Sequence, residues 1–501
     1  MLMVSCKIFI IFILLLLSES IFAQYDFNEN CKKAYSDIIS LKFKDGKKMI
    51  EIEKFQNPEN NIPYLLENYI DFLTIIVGEE EVTFEKLKSN KFLRINRLSE
   101  GDKSSPYYRY CLANVYLQWA FARIKFREYF TAVFEINKAY HLLEQNQKLF
   151  PEFFPNYIGL GLLHALIGTI PDNYKWLIKL AGMDGSVNQG VSELTLVLDS
   201  ATENNNYEYL KPESLFFLSF IELNLKSNKK EALKLMDRFK NYDSDNLLIC
   251  FSKASILKRT GNNDKAIEVL LSRPETNEYF PFFYLDYLTG LAKLNRLDND
   301  ACKYFFNYIQ NFRGSNYIKS AYQKIAWFYL IKSDEKKYKE YISRVLRIDD
   351  KSMVDADKQA VIEAESDEIP NVYLLKARLF FDGGYYQKAI DVLKEEIPLN
   401  YLRSAKDSLE YDYRFGRVYH EWGKVEEAIS YYEITLISGA GFPYYFAANS
   451  ALQLGLIYEN KLEFDKAKYY YKKCLSMNFK EYKTSISQKA KAGLNRIENK
   501  N

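Results

Sequence analysis

An all-α chain of stacked helical hairpins, an α-solenoid, is the fold the sequence predicts. Three observations carry this: apolar residues recur at helical spacing over most of the chain, one order of small and large residues returns every 34 to 39 residues, and no stretch of alternating β-branched residues bounded by hairpin turns stands out. The composition agrees. Hydrophobic residues at 48% against 27% charged give enough apolar material for a large core and too much for a disordered chain. The 68 Lys and Arg nearly balance 66 Asp and Glu, so no general field draws the chain to nucleic acid or to an anionic membrane. Most of the 41 Tyr sit inside helical patterns, where core packing explains them and an aromatic groove for peptide or sugar stays open.

The repeated order is clearest near the C-terminus. Leu454, Gly455 and Tyr458 are followed by Ala467 and Tyr471, and Phe415, Gly416 and Tyr419 by Ala428 and Tyr432. The two alanines lie 39 residues apart, which is a 34-residue period lengthened by an insertion around the breakers Gly439, Gly441 and Pro443. Tyr373, Ala377, Phe380, Ala389 and Leu393 form a looser copy with Gly383 and Gly384 at its turn. The order has a physical cause. Two antiparallel helices approach closely where a small residue faces a large one, and each hairpin leaves an apolar face for the next to cover. The pattern resembles the tetratricopeptide repeat, and that resemblance implies a right-handed superhelix of tetratricopeptide-like hairpins.

Upstream, Phe220, Leu223, Ala232 and Met236 each precede Ala254, Leu257, Ala266 and Leu270 by 34 residues. Gly290, Cys302 and Phe306 continue the series, and Ala326 to Ile342 reads as a degenerate hairpin, so seven helical pairs are expected from about Tyr207 onward. The expected organisation is a signal peptide at 1–23, an N-terminal helical region at 24–206, degenerate repeats at 207–352 and tetratricopeptide repeats at 353–501. Between Met353 and Ile369 the chain turns acidic, through Asp355, Asp357, Glu363, Glu365, Asp367 and Glu368. A joint between two stacks and a solvated helix face are both open readings there.

At the N-terminus, Lys7, the apolar run Ile8 to Leu17 and the stretch Ser18 to Ala23 read as an export signal cleaved after Ala23. The run is well short of the roughly 20 residues of a membrane span, and Cys6 precedes it, so neither a transmembrane anchor nor a lipoprotein cysteine is expected. Periplasm, outer-membrane association or secretion follows from that reading. Cys31, Cys111, Cys250, Cys302 and Cys474 are odd in number and irregularly spaced, which suits buried small hydrophobes better than disulfides or zinc. Breaks near Pro58, Pro63, Gly78 and Gly101 lead to two long helices expected at about Tyr107–Ile124 and Arg127–Gln147.

Residues 156–198 depart from the repeat. An apolar helix carrying Gly159 and Gly161 precedes Pro171, where a second helix would begin near Asn173, and Gly182, where it would end; Ser186 can cap a third. This Gly-rich helix, proline, short helix and Gly-containing loop resembles the tetratricopeptide repeat protein 39 family and its fungal inclusion-body-clearance relatives. The family loop tends to read Gly-Phe-x-Gly-Asp, where this chain has Gly182, Met183, Asp184, Gly185 and Ser186. The resemblance implies an α-helical adaptor-like fold and brings no catalytic residue with it.

No catalytic motif is present in the sequence. His141, His164 and His420 lie at no metal-ligand spacing, and there is no nucleophile elbow, phosphate-binding Gly loop or zinc-protease helix, so neither catalysis, cofactor nor metal is expected. If the first helix of each hairpin lines a concave surface, the register places Asn371, Arg378, Tyr413, Arg417, Asn449, Glu459 and Asn460 on it, with His420 beside them. Arg378 and Arg417, 39 residues apart, would be equivalent and could clamp an acidic or C-terminal carboxylate group. Chaperone-binding tetratricopeptide proteins use a Lys and Asn set that is absent here. The expected function is an exported scaffold or adaptor that binds protein segments, with no nucleic-acid partner. The alternative is a glycan-binding envelope protein similar to the SusD class, which is normally lipidated.

Overall fold

The computed structural model describes residues 24–171, 175–240, 242, 245–349, 351–366, 368–397, 402 and 404–498. The expected signal peptide at 1–23, Asn173 and Asp367 lie outside the described residues. Within them there are 25 α-helices and no strand, only a single bridge between Gln24 and Asn60. In chain order the helices are α1 Glu29–Ile39, α2 Phe43–Gln56, α3 Ile62–Gly78, α4 Glu81–Ser99, α5 Pro106–Lys125, α6 Tyr129–Leu149, α7 Asn156–Ile167, α8 Lys175–Leu180, α9 Val187–Glu203, α10 Lys211–Phe220, α11 Lys229–Arg238 and α12 Leu247–Arg259. There follow α13 Asn263–Leu271, α14 Tyr284–Asn295, α15 Ala301–Asn311, α16 Ile318–Ile331, α17 Glu335–Val345, α18 Asp355–Ala364, α19 Val372–Asp382, α20 Tyr386–Asp391, α21 Ala405–Glu421, α22 Val425–Gly439, α23 Tyr445–Asn460, α24 Phe464–Ser476 and α25 Lys483–Glu498. From α10 onward seven helical pairs can be traced, with α18 and α25 standing outside the pairing.

Packing divides the chain into two compact units. One holds the described residues through Thr260 with Lys265–Leu285 and Asn311–Ser315; the other holds Gly261–Asp264, Asp286–Gln310 and Asn316 onward. The borders of these units fall at other positions than the sequence borders at 206/207 and 352/353.

In the first unit α5 begins where Ser105 accepts a hydrogen bond from the Tyr107 amide at 3.3 Å and Pro106 occupies the first turn. The Gly-rich α7 is buried almost all round, and its backbone meets that of α9: a Cβ at Gly161 would lie 3.0 Å from the Gly190 carbonyl oxygen and 2.9 Å from Leu194. Gly is required there by close approach. Gly182, at φ +70°, closes the turn after α8, and Ser186 caps α9 by accepting from the Gln189 amide at 3.1 Å. His164 is a core residue, its Nδ1 2.7 Å from Glu193 Oε2. One register assignment fails. Phe220, expected on the packing face 34 residues before Ala254, is 38% exposed, while Leu223, 34 residues before Leu257, is buried together with Ile221 in the π turn Ile221–Leu225 that follows.

In the second unit the hairpins α19/α20, α21/α22 and α23/α24 share one hydrophobic core. Gly416 and Gly455 each face a tyrosine of the paired helix: a Cβ on either would lie 2.6 Å from the ring of Tyr432 or Tyr471. Ala428 and Ala467 are fully buried on the opposing helices. Small residues on one helix thus admit a large ring from the other, and each ring contributes roughly 1.5–3 kcal/mol by leaving water. The Tyr471 ring also meets Gly493, so α25 covers the apolar face that the last hairpin would otherwise expose. The five described cysteines are buried and unbridged.

Candidate functional site

The second unit contains a cavity of about 440 Å³, within the size range of ligand sites. Its walls come from the first helices of successive hairpins, α16, α19, α21 and α23, with α18 along one side and Glu481 and Tyr482, just before α25, on another.

The acidic helix α18 is fixed to α16 by its carboxylates. Asp357 is 1% exposed and accepts hydrogen bonds from the Tyr317 and Ser320 amides, both at 2.6 Å, and from the Ser352 hydroxyl at 2.5 Å. It therefore caps the N-terminus of α16 from another helix, where amide donors and the helix dipole favour an anion. Glu363 accepts from Gln323 Nε2 at 2.7 Å, Trp327 Nε1 at 2.8 Å and the Tyr338 hydroxyl at 3.1 Å. A wholly solvated acidic face, one of the two sequence readings, is thereby corrected: Asp355 and Glu365 face water, while Asp357 and Glu363 hold the wall together.

Trp327 is the centre of the cationic side. Lys324 Nζ lies 3.5 Å from its ring centroid and the Arg378 guanidinium carbon 4.9 Å from it, both cations drawn to the π face. Burial, then the nearby positive charge of Arg378, pushes Lys324 down to about 7. Arg378 has Asp382 at 3.8 Å, too far for a hydrogen bond. On the other walls Arg414 pairs with Glu410, and Lys406 donates to Glu368 at 2.8 Å. Glu481 is half-buried, and burial pushes its carboxyl up.

Of the residues expected on the concave surface, the cavity brings together Asn371 and Arg378. Asn371 caps α19 by accepting from the Tyr373 and Leu374 amides. Arg417 repeats the posture of Arg378 one hairpin later, its guanidinium carbon 5.2 Å from the Phe381 ring, but outside the cavity lining. Tyr413 is buried and accepts from Asn449 Nδ2 at 2.7 Å, a bond that ties α21 to α23. His420 Nδ1 lies 3.4 Å from the Tyr432 hydroxyl. Glu459 accepts from the Tyr471 hydroxyl at 2.6 Å and from Arg496 Nε and Nη2, both at 2.8 Å, which places it in the junction with α25; Asn460 is exposed at the helix end.

Sequence reasoning missed Lys324, Trp327, Lys406, Glu410, Arg414 and Glu481. Carrying the hairpin register one unit upstream into α16 would have reached Lys324 and Trp327. Glu481 and Tyr482 lie outside any hairpin and carry no repeat signal. Among the described residues no group of three or more His, Cys, Asp or Glu could hold a metal ion, and no helix is long and apolar enough to cross a membrane.

Residues 412–433 and 448–481 match the family model of the tetratricopeptide repeat. The matched segments fall on α21/α22 and α23/α24, the two hairpins with the Gly and Tyr crossings. No curated protein matches the chain at a significant level.

Proposed function

We propose that this chain is a helical-repeat scaffold that holds a segment of a partner protein in the cavity of the second unit and carries out no chemical step itself. Tetratricopeptide hairpins generally bind proteins or peptides on the surface lined by their first helices. The observation that carries the reading is the guanidinium of Arg378, spread over Trp327 inside such a surface, with Tyr482 and, at 3.8 Å, Asp382 as its neighbours. A ligand carboxylate would gain charge-assisted hydrogen bonds from the guanidinium, which offers five donors. Passing a random octapeptide library over immobilised full chain tests this. Wild type should retain peptides that Arg378→Ala and Trp327→Leu release; equal retention by all three would remove the cavity as the site.

Export is part of the proposal and rests on the residue pattern at 1–23. N-terminal sequencing of the chain from fractionated cells should find Gln24 first, and an intact Met1 in the cytosol would end it. The likeness to the tetratricopeptide repeat protein 39 family is proposed as shared ancestry, supported by the close contact of Gly161 and Gly190 in the segment that carries it. The cavity does not favour the glycan alternative. Sugar stacking needs an open aromatic face, and Trp327 is 2% exposed with two cations over its ring.

A further inference from the structure

Glu481 and the Arg378 and Lys324 pair stand on different walls of the same cavity, all three half-buried; Arg378 has Asp382 at 3.8 Å, while Glu481 and Lys324 have no ion pair among the described residues. Glu481 makes neither a hydrogen bond nor an ion pair with any described residue; it feels Lys406 and Arg378 as attracting charges, and Glu410 and Glu368 as repelling ones, at longer range. Lys324 donates to Gln323 Oε1 at 2.6 Å and has Glu363, Asp382 and Asp357 as more distant counter-charges. The other charged pairs of the lining are already closed, Lys406 with Glu368 and Arg414 with Glu410.

A half-buried charge without a partner drifts toward its neutral form, which is the direction in which burial moves both Glu481 and Lys324. One opposite charge from a ligand would relieve one wall and weaken the attraction that the other wall draws from it. A ligand carrying both charges would relieve the two walls together, so its two contacts would reinforce each other.

Resting on the peptide-scaffold reading, we propose that the segment held here is bipolar: a side-chain carboxylate seats on Arg378 and Lys324 over Trp327, and a Lys or Arg close to it along the partner chain seats on Glu481. The recognition is of paired opposite charges within a segment, and a free chain terminus is not needed. A purely acidic segment meets Glu481, Glu410 and Glu368 as repelling charges, and a purely basic one meets Arg378 and Lys324.

Fluorescence polarisation with the full chain tests this, using N-acetylated and C-amidated octapeptides of alternating Glu and Lys, all Glu, all Lys, or all Gln. The alternating peptide should bind about tenfold or more tightly than the other three, and Glu481→Gln and Arg378→Ala should each erase that advantage. Glu481→Gln has no contact to lose, and thermal unfolding of both variants separates lost binding from lost fold. If all-Glu binds as well as the alternating peptide, or if Glu481→Gln leaves the preference intact, the bipolar inference fails while the peptide-scaffold reading stands. If wild type binds none of the four, the peptide-scaffold reading fails and takes this inference with it.

Discussion

Lys324 holds its ammonium 3.5 Å from the centroid of the Trp327 ring, although burial and the charge of Arg378 both oppose its protonation. Its folded pKa, about 7, lies below the ordinary lysine value of 10.5. Stability linked to this group is therefore full above the unfolded value and is lost as pH falls through about 7. Lys324→Met keeps the length of the side chain and removes the charge. It should raise the unfolding free energy by about 1 kcal/mol at pH 6, after allowance for solvent screening, and by less at pH 9. Urea unfolding at the two pH values checks this, and an equal difference at both would disprove it.

Asp357 caps α16 from α18, so its removal exposes two amide donors and frees α18. Asp357→Ala should cost about 2 kcal/mol, at the upper end for lost helix caps, because the site is buried. Asp355→Ala, two residues away and exposed, should stay within about 0.5 kcal/mol of wild type. Thermal unfolding of the full chain distinguishes them, and equal effects would mean that α18 is not held through Asp357.

Gly416→Ala and Gly455→Ala should each destabilise by about 1–3 kcal/mol, since the new methyl would push on Tyr432 or Tyr471 at 2.6 Å in a filled core. Gly441→Ala meets nothing within 4 Å and should be close to neutral. Denaturant midpoints measured on the three variants settle the comparison. A harmless alanine at both 416 and 455 would show the hairpins packing some other way.

Glu213, in the first unit, accepts from the hydroxyls of Tyr35 and Tyr69, and burial raises its carboxyl from the ordinary 4.5 to about 7. A carboxyl whose folded value is raised contributes stability below the unfolded value that is lost as pH rises through the folded one, here between about 4.5 and 7. Glu213→Gln stays neutral throughout. It should be more stable than wild type at pH 8 by about 1–2 kcal/mol and no more stable at pH 5. A pH-independent difference in the urea midpoint would count against this account.

The hairpins could be read from the chain because the information that makes them is local. Gly416 with Tyr432, and Gly455 with Tyr471, lie within one repeat, and their spacing alone implies a crossing. Phe220 shows where that reading stops: the spacing sets it in register with Ala254, yet it stands exposed just before a π turn that nothing in the spacing announces. Tyr413, Asn449 and Glu459 lie on the first helices of their hairpins, yet their polar ends bond to neighbouring helices of the unit. A register assigns a residue to a face; it does not say whether another helix covers that face.

By itself the sequence determined that this protein is helical, that residues 412–433 and 448–481 carry the tetratricopeptide pattern and that small residues sit at the helix crossings, because a helix period and a repeat period are both properties of consecutive residues. Only the tertiary structure decided which charges meet across the cavity. Trp327, Asn371, Lys406 and Glu481 share it because hairpins stack and α18 is anchored at its side, and such neighbourhoods are set by packing between elements, which no periodicity along the chain encodes.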